Sequence, residues 1–201
     1  MTRDRASSGT RRTRALLLAA LVLGGAGCGD DTTASNDDTT ARRAATTTTT
    51  ASAPTVTVYA EDYKFVGLPK SVKVGTKLAL SNRSTSELHE LVVIRIPDSE
   101  TRSVDELVKL PESELDALFG SAQPAAVLLH TPGEGETIDA VGDGTLSSPG
   151  RYAVICSIPV GVDPAAYLAA AQSAGDGPPS IPNAGPPHFT QGMYAELTVE
   201  P

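Results

Sequence analysis

From Pro54 to the C-terminus the apolar residues come mostly singly or in short runs, separated by turn-forming triplets such as Thr131-Pro132-Gly133, Gly142-Asp143-Gly144 and Ser148-Pro149-Gly150. Runs this short, closed by Pro-Gly and Asp-Gly turns, predict strands rather than long helices, and an antiparallel sandwich rather than a parallel sheet with crossover helices. Val56 and Val58 alternate with threonines, and two short strands, Val72–Val74 and Lys77–Leu80, flank the turn residue Gly75. Leu91–Ile94 is continuously apolar, as expected of a strand covered on both faces. Further strands are predicted over Ala126–Leu129, Glu136–Ala140, Arg151–Ile155 and Tyr194–Val199. The expected fold class is therefore all-β.

Two segments break the strand pattern. Ser103-Val104-Asp105-Glu106 is a capping-box sequence, followed by Leu107, Leu110, Leu115 and Leu118 at helical spacing. Pro111 splits that stretch into two short helices and Gly120 closes it. The second segment opens on Asp163 as N-cap and Pro164 at the first helical position, then continues through Ala165–Ala171. These are two short helical insertions in a β fold, and both are expected near the end of the sandwich that carries the site described below.

The first 28 residues have a different character. Arg3, Arg5, Arg11, Arg12 and Arg14 precede the apolar stretch Ala15–Leu23, which is shorter than the roughly 20 residues a membrane-spanning helix needs. Gly24-Gly25-Ala26-Gly27 then leads directly into Cys28. This resembles the lipobox of bacterial lipoproteins, although Gly25 stands where that motif usually carries leucine. The resemblance implies a signal peptide over residues 1–28, lipidation at Cys28, and a protein held at the extracytoplasmic face of the cell membrane; simple signal cleavage is the alternative.

Residues 29–53 contain the Thr46–Thr50 run, scattered Asp, and almost no large apolar side chains. Such a composition cannot bury enough surface to offset chain entropy, so the segment is expected to be a disordered tether. Its root-mean-square reach is about 28 Å. The chain after Cys28 carries 11 basic and 23 acidic residues, a formal charge of −12. An acidic domain gives no support to nucleic-acid binding and favours partners with a basic docking face. The domain at 54–201 is expected to be a monomer.

With Cys28 committed to lipid, Cys156 is a single thiol in an exported chain, where thiols otherwise tend to pair. His89, Cys156, His188 and Met193 follow one another in the order of residue types that make a type 1 blue-copper site: two imidazoles, a thiolate and a weak axial thioether. Alone, each is as well explained by the core or an edge strand. His130, the other histidine, is read as structural or surface. Gly192 is expected to permit close backbone approach beside Met193.

Taken together, residues 54–201 resemble the cupredoxins, the plastocyanin and azurin family. Phe65, Pro69, Val72–Gly75 and Asn82 resemble that family's second and third strands, with His89 arriving just before a strand. Gly150–Cys156 with Ser157, Ile158 and Pro159 resembles the strand and turn bearing the copper cysteine, and His188–Met193 has the plastocyanin His-x4-Met spacing. The resemblance implies a Greek-key β-sandwich holding one type 1 copper ion on His89, Cys156, His188 and Met193. It implies a protein that carries single electrons between redox partners and is not an enzyme. A copper carrier or storage protein on the same fold, and a cupredoxin-like binding module without metal, are the alternatives. Two departures stand out: 31 residues separate Cys156 from His188, where the family has a handful, and Glu90 follows His89, where a small polar residue is usual. The long insertion is expected to cover the site, or else to serve docking, and Glu90 puts the hydrogen bonds around the ligands in question.

Overall fold

The computed structural model describes residues 53–133, 135–175 and 179–201. The segment expected to be a signal peptide, Cys28, and the expected tether up to residue 52 lie outside the described residues.

The elements follow in chain order as β1 (Thr55–Glu61), β2 (Lys64–Val66), β3 (Ser71–Lys73), β4 (Lys77–Asn82), β5 (His89–Arg95), α1 (Val104–Leu107), α2 (Glu112–Phe119), β6 (Ala126–His130), β7 (Thr137–Val141), β8 (Gly150–Ile155), α3 (Pro164–Ala174) and β9 (Tyr194–Glu200). A one-turn 3-10 helix, His188–Gln191, precedes β9. The strands form two sheets, of order β2-β1-β4 and β3-β9-β8-β5-β6-β7. Period-two side-chain alternation decides which faces meet. In β4 every second residue is buried, and Leu78 and Leu80 join Val58 and Ala60 of β1 on the inner face of the smaller sheet. The larger sheet answers with Leu91, Val93, Leu128, Val154, Leu197 and Val199. At about 1.5–3 kcal/mol for each buried Val or Leu, this single layer is the main stabilising feature of the domain.

The all-β sandwich with helical insertions is as expected, but its sheets are mixed rather than purely antiparallel. β1 pairs with β4 in parallel, Thr55 to Asn82, and β3 pairs with β9 in parallel, while the remaining pairs are antiparallel. The short strands flanking Gly75 belong to opposite sheets. Gly75 has φ 86°, and its N–H donates to Leu146 O at 2.8 Å, so the chain turns from one layer into the other at that point. A residue with a Cβ adopts that backbone only with strain.

β5 lies between β8 and β6, and its residues from His89 to Val93 are all buried, as the apolar run predicted. Its outer face is covered by the first insertion. Ser103 caps α1 reciprocally, accepting from Glu106 N–H while its own N–H donates to the Glu106 carboxylate. Val104 and Leu107 then pack with Ile96 and Ala153 in a second, smaller apolar cluster. In the second insertion Asp163 accepts from Ala166 N–H at 2.8 Å and Pro164 opens α3. Tyr167 of that helix reaches the main core, where Val162, Leu168 and Ile181 also pack.

Candidate metal centre

His89 opens β5, Cys156 follows β8, and these strands are hydrogen-bonded neighbours, with Val92 opposite Ile155. Two ligand candidates are thus placed at the same end of the larger sheet by its register alone. His188 is distant in sequence, and a ladder of backbone bonds brings it in. Val160 N–H donates to Pro186 O at 3.0 Å, His188 N–H to Ile158 O at 2.9 Å, and Phe189 N–H to Cys156 O at 2.9 Å. Pro159 and Pro187 form a bridge between the departing and returning strands of the insertion. The 31 residues leave and return through one short two-stranded neck, which places His188 as closely as a short loop would.

One donor atom each from His89, Cys156 and His188 lies within 4.8 Å of the others, and all three residues are fully buried. Cys156 Sγ is 3.3 Å from His188 Nδ1, and the two imidazole rings meet edge to face at 5.0 Å. Met193 is also fully buried. Its carbonyl accepts from Cys156 N–H at 3.1 Å and its N–H donates to His188 O at 3.2 Å, so its backbone belongs to the same corner. Gly192 before it has φ 108°, while a Cβ there would meet nothing nearer than Tyr63 O at 3.7 Å. The glycine is required for its left-handed turn and not, as expected, for close approach. His130 faces His89 across the β5–β6 pair, but its Nδ1 is engaged with Thr131 O at 2.8 Å and it does not join the cluster.

Among the described residues, both ring nitrogens of His89 and Nε2 of His188 are buried without a hydrogen-bond partner. An unsatisfied buried polar group costs about 1–3 kcal/mol. A nitrogen of His89 left without a partner, His188 Nδ1 and the buried thiol make up a donor set of two imidazoles and one sulfur that a soft metal ion satisfies, and the residues fit copper well. Burial, reinforced by His188, pulls the pKa of His89 down to about 4, and burial lowers His188 against the opposing pull of Glu87. Burial, aided by the negative charge of Glu90, pushes the Cys156 thiol well above its ordinary range. The imidazoles are therefore already in the neutral, ligating form, whereas the thiolate forms only when a cation takes the place of its proton.

Glu90 resolves the second departure seen in the sequence. Its backbone N–H donates to Cys156 Sγ at 3.4 Å, and its buried carboxylate accepts from both the backbone N–H (2.9 Å) and the hydroxyl of Ser157. The Tyr167 hydroxyl faces the same carboxylate, and burial together with the Glu90 charge raises its pKa. One residue thus ties β5 to Cys156 and the residue after it, with Tyr167 of α3 close by. Burial raises the Glu90 pKa, opposed by the Ser157 bonds and the nearby Tyr167 hydroxyl. Neither Tyr167 nor Glu87 was legible as part of the site, because each meets it only through contacts distant in sequence. An apolar cavity of about 680 Å³ adjoins the site, between α1, α2 and the outer face of the larger sheet; Pro187 and Phe189, on either side of His188, form part of its wall.

No protein-family model and no curated protein matches the sequence. Solved structures do. The chain is similar to dithionite-reduced auracyanin from the photosynthetic bacterium Roseiflexus castenholzii, at 19% identity over 75% of this chain and 99% of that one, with a TM-score of 0.41. It is also similar to auracyanin A, a "blue" copper protein of the green thermophilic photosynthetic bacterium Chloroflexus aurantiacus, at 16% identity over 73% of this chain and 98% of that one, with a TM-score of 0.38. Auracyanin B is 22% identical over 74% of this chain and 90% of that one, with a TM-score of 0.36. With all three scores below 0.5, the fold rests on the strand pairing and the site on its own geometry.

Proposed function

We propose that this domain is a type 1 copper protein that carries single electrons between redox partners, with His89, Cys156 and His188 as the principal ligands and Met193 as the weak axial one. The observation that carries this reading is the convergence of three fully buried donors, two of them imidazoles with unpartnered nitrogens, at the end of a rigid sheet. When bound in a His2Cys site, copper supplies a one-electron couple whose two oxidation states tolerate the same ligand geometry.

The protein's part is to hold that geometry and keep water out. β5 and β8 hold His89 and Cys156, the insertion neck holds His188, and the Glu90–Ser157 bonds restrain the turn after Cys156. Oxidation or reduction of such a site makes and breaks no covalent bond in a partner molecule, so the reading is of a carrier and not an enzyme. A copper carrier or storage protein would need donors within reach of a partner's ligands, and complete burial of all three weighs against it. A domain without metal would leave both nitrogens of the buried His89 ring without a partner beside a buried thiol.

The wider setting belongs to the same proposal. A lipid on Cys28 and the tether over 29–53 would hold a monomeric domain at the extracytoplasmic face of the membrane, and a formal charge of −12 after Cys28 favours redox proteins with basic faces. The deciding experiment is the visible spectrum of the purified protein after addition of Cu(II), with Cys156→Ser alongside. An intense thiolate-to-copper charge-transfer band that is lost in the variant supports the reading. A colourless protein, or a band indifferent to the substitution, overturns it.

A further inference from the structure

The geometry points to Glu87 and Tyr63 as positioning residues for His188: together they present its Nδ1 to the metal position and keep Nε2–H turned away. This rests on the copper reading for its purpose, though not for its geometry.

Glu87 Oε2 lies 3.5 Å from His188 Nε2, on the side of the ring opposite Cys156 Sγ, which faces Nδ1 at 3.3 Å. Nε2 is buried and meets no other acceptor among the described residues, whereas the Glu87 side chain keeps 18% of its exposure. A neutral imidazole carries one N–H. With a carboxylate beside Nε2 the proton is stabilised there, and the lone pair is left on Nδ1, facing the thiol. The same Oε2 accepts from Gly161 N–H at 3.3 Å, at the foot of the insertion that returns as His188. Glu87 therefore holds the insertion, the approach to β5 and the His188 ring at once.

Tyr63 supplies the second restraint. Its ring stands edge to face on His188 at 4.9 Å and 71°, opposing rotation of the imidazole about its side-chain axis. Its backbone is one of two non-glycine positions with positive φ among the described residues, at 64°. A bulky residue in that conformation is strained and persists where the surroundings over-determine it. Here the tight turn between β1 and β2 delivers the ring onto His188, and the phenol comes beside Glu87, whose charge adds to burial in raising the Tyr63 pKa.

The test is long-range proton–nitrogen NMR of the metal-free protein, which reports the tautomer of each histidine without any copper. The expected result is His188 with its proton on Nε2. Glu87→Ala should move a substantial fraction to Nδ1–H, and Glu87→Gln, whose carbonyl still accepts, should restore most of the native tautomer. Tyr63→Ala should broaden the His188 ring signals, whereas Tyr63→Phe should leave them unchanged. In the loaded protein, Glu87→Ala should weaken copper affinity by about 10–100-fold. A wild-type His188 protonated on Nδ1, or a tautomer indifferent to Glu87→Ala, overturns the assignment even if the protein is blue. If the tautomer responds as described but the protein takes no copper, the functional reading fails and the positioning stands.

Discussion

Cys156 Sγ and His188 Nδ1 stand 3.3 Å apart although 31 residues separate them in the chain. The closeness is produced at the neck of the insertion, where Phe189 N–H meets Cys156 O and His188 N–H meets Ile158 O. Among the described residues beyond the neck, Val162, Tyr167, Leu168 and Ile181 add packing against the core. The backbone bonds of the neck and the core packing of the insertion can be probed by separate substitutions.

His89→Leu is expected to stabilise the metal-free protein while abolishing copper binding. Both nitrogens of His89 are buried without partners, and an apolar side chain of similar volume removes that cost. The gain should be about 1–3 kcal/mol in urea denaturation of the apo form. An apo variant less stable than wild type would mean that the His89 ring is satisfied in a way the geometry does not show.

Tyr167→Phe removes the hydroxyl that faces the buried Glu90 carboxylate and is expected to act as a donor to it. Loss of a hydrogen bond to a charged group costs about 1.5–3 kcal/mol, and most of that cost should vanish in the Glu90→Gln background, where the acceptor is neutral. A double-mutant cycle by denaturation reads the coupling directly. Equal costs in both backgrounds would show that Tyr167 contributes through packing alone.

Two glycines distinguish strain from collision. Gly192→Ala should cost about 1–2 kcal/mol, since φ is 108° but the new methyl has room. Gly144→Ala should cost more, because φ is 89° and its Cβ would lie 2.1 Å from Leu78 O, while Leu78 N–H is bonded to Gly144 O at 2.9 Å. Thermal or urea denaturation of the pair gives the order; the reverse order would contradict the close approach at Gly144.

Acid should weaken the fold through Glu100. The Arg102 side chain bonded to it, together with the Arg102 backbone N–H, lowers its pKa from 4.5 to about 2. Between those values the unfolded chain binds more protons than the folded one, so stability rises with pH. The contribution is complete above about 4.5 and is lost as pH falls towards 2. Glu100→Gln should flatten that part of the stability–pH curve, and an unchanged slope would assign the acid sensitivity to other carboxylates.

What could be read from the sequence was local. The Ser103–Glu106 capping box, Asp163 with Pro164, the strand alternation in Val56 and Val58 and the apolar run of β5 each depend on residues within a turn or two of one another, and all took the predicted form. The donor types at His89, Cys156 and His188 were equally visible, because ligand chemistry belongs to the side chain. Tertiary structure alone decided the rest: that the strands flanking Gly75 enter opposite sheets, that β1 and β4 run parallel, that His188 rather than His130 meets Cys156, and that Tyr63, Glu87 and Tyr167 close around the site. These outcomes turn on contacts between segments tens of residues apart. Their energies exist only once the two sheets have packed and the insertion neck has closed, so no local pattern in the chain records them.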